Sequence, residues 1–309
     1  MGEKVYFETA AAARYRRIRC RISYPDRTPK ALIVILHSAL EHSGLYKDFE
    51  KALTEKGYAV VSHDTAGHGK SAAEKFELGF LSDSLGYHTI VEDAKKVVGT
   101  AFVKISEKSV SNRKIPVIIF GQGLGASAAK LLGTENWCKA LILSGDMGSG
   151  VFPMGKRWLI EQISSIKGDR SRSDFFTKMA TGVSFKPREF KTYEEMLTSD
   201  EKMLSDYKSD PLCGFTLTLS AAADYLSMRL NADRIYDSLT DKSVLILSGE
   251  KDVFTKGVKS GEEIAEAFKS AGNQNVIHKT YPNAYHQLLR EKCKDEVYKD
   301  IFEFIKTVK

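Results

Sequence analysis

Apolar residues recur along the chain in two ways. Short, largely apolar runs occupy 31–36 (ALIVIL), 58–62, 115–120, 139–144 and 243–248 (SVLILS), the length and composition of strands buried on both faces, and 276–281 reads as a further strand. Helical spacing fills the gaps. Tyr46, Phe49 and Leu53 share a face that Gly57 closes, and Ile90, Val91, Ala94, Val97, Val98 and Ala101 line one side of 85–104. Further helices are expected from the turn after 120 to about Leu132, near 261–271, and at the end to about Val308. Strand and helix therefore alternate, which predicts a mostly parallel sheet with helices on both faces. Residues 3–9 and 14–24 read as two opening strands that pair as a hairpin, with PDRTPK (25–30) as the next turn. The alternation breaks between about Met147 and Met228, where helical pieces, loops and charges predominate. The expected organisation is a core of 1–146 and 229–309, interrupted by a mostly helical cap at 147–228.

Composition changes this picture little. The 309 residues carry 46 Lys and Arg against 40 Asp and Glu, a formal charge of +6. The basic residues that cluster are Arg14, Arg16, Arg17, Arg19 and Arg21, and they alternate with Ile18, Cys20, Ile22 and Tyr24. That alternation reads as a strand with one apolar and one solvated charged face, and no nucleic-acid signature accompanies it. Cys20, Cys138, Cys213 and Cys293 follow no metal or disulfide pattern. Met1 leads into polar GEKVYFET, and no run approaches the roughly 20 apolar residues that span a bilayer. The expectation is a reduced, cytoplasmic protein with no stable membrane insertion.

The stretch that organises the rest is 115–130, IPVIIFGQGLGASAAK. A strand meets Gly-x-Gly-x-Gly and leaves as a helix of small residues, a shape that resembles the nucleophile elbow of α/β-hydrolases, normally Gly-x-Ser-x-Gly. Its middle position here is Gly123. In that fold the order along the chain is nucleophile, acid, histidine. Gly249-Glu250-Lys251-Asp252 follows one apolar strand, and Tyr281-Pro282-Asn283-Ala284-Tyr285-His286 ends the next. Taken singly, Asp252 is a turn or cap residue and His286 a loop histidine. In this order, each after its own strand, they form a candidate base with its orienting carboxylate. The candidate oxyanion donors are the Leu124 N–H and an N–H of the loop after 31–36, from Ala39 or Leu40.

Further motifs carry a family resemblance. His37-x-x-x-Glu41-His42-Ser43-Gly44-x-Tyr46, Asp64-x-x-Gly67-His68-Gly69-x-Ser71, Ser209-Asp210-Pro211-Leu212, Gly249-x-x-Asp252 and Ala284-Tyr285-His286-x-x-x-x-Glu291 occur in order. Together they resemble monoacylglycerol lipases and lysophospholipase-like hydrolases of the serine aminopeptidase S33 type. The resemblance implies an α/β-hydrolase fold and cofactor-free hydrolysis of acylglycerol or lysophospholipid esters. Ser38 stands where that family has glycine, Gln122 where it commonly has histidine, and Gly123 where it has the catalytic serine.

Glycine offers no atom to attack a carbonyl. One reading is a serine hydrolase whose nucleophile has been lost by descent or by deliberate substitution. A second is a non-catalytic protein that binds a small apolar or lipid-like ligand. A third keeps weak catalysis, with a water in the vacated space activated by His286 and Asp252. Ser38 is the one substitute nucleophile whose loop should face the elbow, and the distance of its Oγ from His286 tests it. Ser127, a helical turn past the elbow, should point elsewhere. Ser38, Gln122, Trp158 and Phe152 are the side chains expected to touch substrate. In the cap, Phe152, Trp158, Leu159, Ile160, Ile163, Phe175, Phe176 and Met179 read as an inner apolar face that either packs the cap onto the core or receives an acyl chain. A dehalogenase would need aspartate at 123. The triad alone does not separate the chain from aminopeptidases, although EHSGLY and SDPL lean away from them. No phosphate loop or metal cluster is seen, so no cofactor or metal is expected.

Overall fold

The computed structural model describes residues 3–10, 17–83, 86–108, 115–148, 150, 153–182 and 190–308. The strands are β1 (Lys4–Ala10), β2 (Arg17–Ser23), β3 (Leu32–Leu36), β4 (Ala59–His63), β5 (Val117–Gln122), β6 (Cys138–Ser144), β7 (Ser243–Gly249) and β8 (Val276–Tyr281). They form one eight-stranded sheet in the order β1-β2-β4-β3-β5-β6-β7-β8. β1 pairs antiparallel with β2, as does β2 with β4, and every pairing from β4 to β8 is parallel.

The unbroken apolar runs follow from burial on both sides. Side chains alternate across a strand, so Leu32 and Val34 join one core with α2 (His88–Lys108), α3 (Leu124–Gly133) and α8 (Lys259–Ser270). Ile33 and Ile35 join a second core with α1 (Lys47–Glu55) and α9 (Lys294–Thr307). Val117 and Ile119 face the first core, Ile118 and Phe120 the second. A polar residue at any of these positions would lie in one core or the other.

The charged face expected of β2 is not solvated throughout. Arg17 and Arg19 lie in solvent, but Arg21 is buried. Helix α1 covers that part of the strand and brings Glu50, which takes a hydrogen bond from Arg21 Nε at 2.7 Å and from Ser62 Oγ at 2.7 Å. The alternation was correctly a strand signal, and only the helix laid across it makes Arg21 a core residue. Arg14 and Arg16 lie outside the described residues.

Between β6 and β7 the chain forms α4 (Pro153–Lys167), α5 (Asp174–Ala180), α6 (Glu201–Ser209) and α7 (Leu219–Ala232). Helix α7 runs through position 228, where the insertion was expected to end. Its junction with the sheet layer is ionic. Lys130 on α3 is fully buried, with Nζ 2.6 Å from Asp233 Oδ1 and 2.9 Å from Asp146 Oδ2. The Asp146 approach is a charge contact rather than an aligned hydrogen bond.

Removing one member of a buried ion pair strands the other charge, at a cost of about 3–5 kcal/mol. Lys130→Met should therefore lower the unfolding free energy by about that amount in urea titrations, whereas cutting the exposed Arg170–Asp83 pair should change it little. A Lys130→Met loss below about 1 kcal/mol would mean that this pair does not hold the junction.

Candidate active site

The elbow follows from three glycines with different reasons. Gly121 and Gly125 have ordinary φ but no room: a Cβ at Gly121 would collide with the Gly125 carbonyl, and one at Gly125 with the Leu36 carbonyl. That is how closely β3, β5 and α3 approach. Gly123 instead has φ +54° and ψ −116°, the strained turn that lifts residue 123 out of the strand. The Gly123 N–H is held by the Ser144 carbonyl at 2.8 Å, and the turn closes with Ala126 N–H donating to the Gly123 carbonyl at 3.0 Å.

His286 and Asp252 reach this turn from their own loops. His286 Nδ1 lies 2.8 Å from Asp252 Oδ2, and both side chains are buried. The Phe254 N–H donates to Asp252 Oδ1 at 2.9 Å, so both carboxylate oxygens have partners. With Nδ1 bearing the proton for Asp252, Nε2 is the free base. It lies 2.9 Å from where a Cβ on residue 123 would stand. Phe254 stacks against the ring with centroids 4.5 Å apart.

The loop after β3 completes the arrangement. Its Ser38 Oγ accepts from the Leu124 N–H at 3.3 Å, and lies 2.6 Å from the same Cβ point on residue 123. The Ser38 hydroxyl therefore stands beside the space that a side chain at 123 would begin to fill. Ala39 and Leu40 are buried beside it, and the Ala39 N–H makes no hydrogen bond among the described residues.

Several residues that fix this loop were visible in the sequence only as motif letters. Glu41 accepts from the Ser38 N–H at 2.8 Å, from the Tyr46 hydroxyl, and from Gln287 Nε2 beside His286. His37 accepts from the Thr65 N–H at 3.0 Å through Nε2, so Nδ1 donates to the Ser38 carbonyl at 2.6 Å. Burial, followed by the nearby His68, pushes the His37 pKa down to about 3 and keeps that ring neutral. His68 Nε2 holds the Ala39 carbonyl at 2.6 Å. Asp64 accepts from Ser43 N–H, Ser43 Oγ and Lys70 N–H at 2.9, 2.6 and 2.8 Å, stitching the two Gly-rich loops together. From the far side, Tyr207 Oη and the Gly214 N–H both donate to the Leu40 carbonyl. A carboxylate or histidine followed by small residues was the available signal; its partners lie far away in sequence.

Two expected substrate contacts take other places. Gln122 is buried with its amide engaged at both ends: Nε2 donates to the His286 carbonyl at 2.9 Å and Oε1 accepts from Ser144 Oγ at 2.8 Å. It positions the histidine loop. Trp158 is 61% exposed. The side of α4 turned inward carries Ile160, Ile163 and Ser164, and two residues from Ile160 is roughly 200° around the helix. Leu159 and Phe175 are likewise exposed, whereas Phe176 is buried and Ile163 and Met179 pack against the core. The apolar face expected of this segment is thus divided between core and solvent. Phe152 lies outside the described residues.

A cavity of about 610 Å³ opens beside Leu40, with Tyr193, Met196 and Phe215 among apolar walls and Thr177 and Lys191 among polar ones. Tyr193 packs on Phe254, which packs on His286. His42, Asp210 and Cys213 stand close together near this loop. The His42 Nδ1 already accepts from Gly44 N–H at 3.1 Å and Nε2 faces Asp210 at 2.9 Å, so the neutral ring has no lone pair left for an ion.

A sheet in this order, with an elbow after β5, is the architecture of the α/β-hydrolases. A thermostable carboxyl esterase from Bacillus coagulans, solved with glycerol, shares it at TM-score 0.89 and 19% identity over 99% of this chain and 98% of that one. Within that class the chain belongs to the serine aminopeptidase S33 family, whose model matches residues 27–293. It is 25% identical over 293 residues to the monoglyceride lipase homolog of Monkeypox virus, covering 94% of this chain and 93% of that one. Over 275 residues it is 27% identical to human monoglyceride lipase, covering 88% of this chain and 80% of that one.

Burial lowers the pKa of His286, but the charge and hydrogen bond of Asp252, with a smaller contribution from Glu41, outweigh it and leave the value above the ordinary 6.5. The protonated ring is the stabilised form, so the neutral base appears only as pH rises through that raised value. The His286 imidazole resonances should titrate above pH 6.5, and Asp252→Asn should move the midpoint down. A midpoint that stays put in Asp252→Asn would detach the two residues electrostatically.

Proposed function

We propose that this chain is a carboxylester hydrolase of the monoacylglycerol lipase type, with His286 as general base and Asp252 as the carboxylate that orients it. The observation that carries the reading is the poised dyad: Nδ1 is bound to Asp252 at 2.8 Å, and Nε2 is aimed at the elbow. A buried, pKa-raised histidine beside a turn that bears no side chain has little structural purpose, because Gln122 and Glu291 already hold its loop. The Leu124 and Ala39 N–H groups are the candidate oxyanion donors. Residues 147–228 act as the cap, and the cavity beside Leu40, lined by both apolar and polar side chains, suits an amphiphile. The similarity to monoglyceride lipases supports a monoacylglycerol as substrate.

A second reading has its own observation. With glycine at 123 and the Leu124 N–H engaged by Ser38, the same site can bind an apolar ligand without turning it over.

Hydrolysis of nitrophenyl butyrate and of a monoacylglycerol separates the two. Turnover should fall about 10²–10⁴-fold in His286→Ala, the usual contribution of a general base. The double variant Ser38→Gly/Gly123→Ser restores the family's arrangement and should hydrolyse both esters. If native chain and double variant are both inert, yet retain a monoacylglycerol in equilibrium dialysis, the ligand-binding reading replaces the hydrolase one.

A further inference from the structure

We propose that Ser38 is the nucleophile of this site, its hydroxyl supplied from the loop after β3 in place of the one the elbow lacks. The inference rests on the ester-hydrolase reading above and names the atom that reading leaves open.

Ser38 Oγ and His286 Nε2 flank one point. A Cβ on residue 123 would stand 2.6 Å from the first and 2.9 Å from the second. The hydroxyl therefore occupies the space into which a side chain at 123 would project. Oγ accepts a long hydrogen bond, 3.3 Å, from Leu124 N–H, which leaves its own proton free to be given away. It makes no hydrogen bond to His286 in this conformation, and a χ1 rotation is the motion that would form one. Ser38 is also half-exposed, unlike the buried Gly123 beneath it. Its backbone is pinned on both sides, the N–H by Glu41 at 2.8 Å and the carbonyl by His37 at 2.6 Å. The hydroxyl is thus a mobile group on a fixed base.

In the reaction, the Ser38 Oγ–H proton passes to His286 Nε2 as Oγ bonds to the ester carbonyl carbon. The carbonyl electron pair becomes the oxyanion. The N–H of the residue after the nucleophile, Ala39, has no partner among the described residues, and Leu124 N–H is released as Oγ turns, so two donors meet the charge. Collapse breaks the bond to the alcohol oxygen, which takes the proton from His286. Water, deprotonated by His286, then attacks the acyl-Ser38, and the acid leaves as the proton returns to Oγ.

The test is a fluorophosphonate probe on the full chain, in which Oγ bonds to phosphorus as fluoride departs, followed by tandem mass spectrometry of the digest. The adduct should sit on Ser38. Ser38→Ala should lose the adduct and on the order of 10³-fold or more of kcat/KM. Ser38→Cys, which keeps a nucleophile of similar size, should release about one equivalent of nitrophenol in a burst before turnover stalls. An adduct on another residue, no adduct on a chain that hydrolyses ester, or Ser38→Ala activity within about threefold of native would overturn the assignment and leave the hydrolase reading standing. A native chain that is inert and unlabelled while Ser38→Gly/Gly123→Ser hydrolyses ester would do the same. Only inertness of both chains removes the hydrolase reading itself.

Discussion

The candidate site depends on one carboxylate held out of water. Glu41 is 1% exposed, and an ion in that position is tolerable only when its oxygens are satisfied. It meets the condition by binding the Ser38 N–H, the Tyr46 hydroxyl and the Gln287 amide. Those partners belong to the loop after β3, to the turn before α1, and to the loop bearing His286. The cost of leaving any of them unbonded is what makes three separate segments one rigid rim. Glu291 repeats the device, binding Ser199 N–H, Ser199 Oγ and Tyr285 N–H at 2.8, 2.6 and 2.9 Å. Asp64 does so a third time between the two Gly-rich loops. Strand ends on a parallel sheet supply positions; buried carboxylates supply the precision that a reacting group needs.

That division explains what could be read from the chain alone. The strands and the helices of the core were legible because burial on both faces demands unbroken apolar runs, as in 31–36 and 243–248, and because α1 and α2 carry helical spacing. The pairing of Asp252 and His286 was legible because each follows a strand, in the chain order that the elbow implies. The role of Gln122 was not, since what decides it is Ser144 and the His286 carbonyl, brought alongside by β6 and the loop after β8. Trp158 misled for a different reason. Apolar residues on α4 lie around most of the helix, and only packing shows that Ile160, not Trp158, points inward. Arg21 misled because alternation predicts two faces of a strand without saying which face a helix will cover.

Residues 38 and 123 are best understood as a pair. Ser38 and Gly123 stand where the motif resemblance led us to expect glycine and serine. The exchange is not neutral geometry. A serine Cβ at 123 beside the present Ser38 Oγ would stand 2.6 Å away, well inside contact distance. The two hydroxyls thus compete for one space, and each arrangement excludes the other unless Ser38 turns aside. His37 and Glu41 fix the backbone that carries the Ser38 hydroxyl. The elbow has φ +54°, a conformation open to glycine, and the Ser144 carbonyl holds its N–H. The turn presents the Leu124 N–H, and in the Ser38 proposal the reacting atom arrives from the opposite wall.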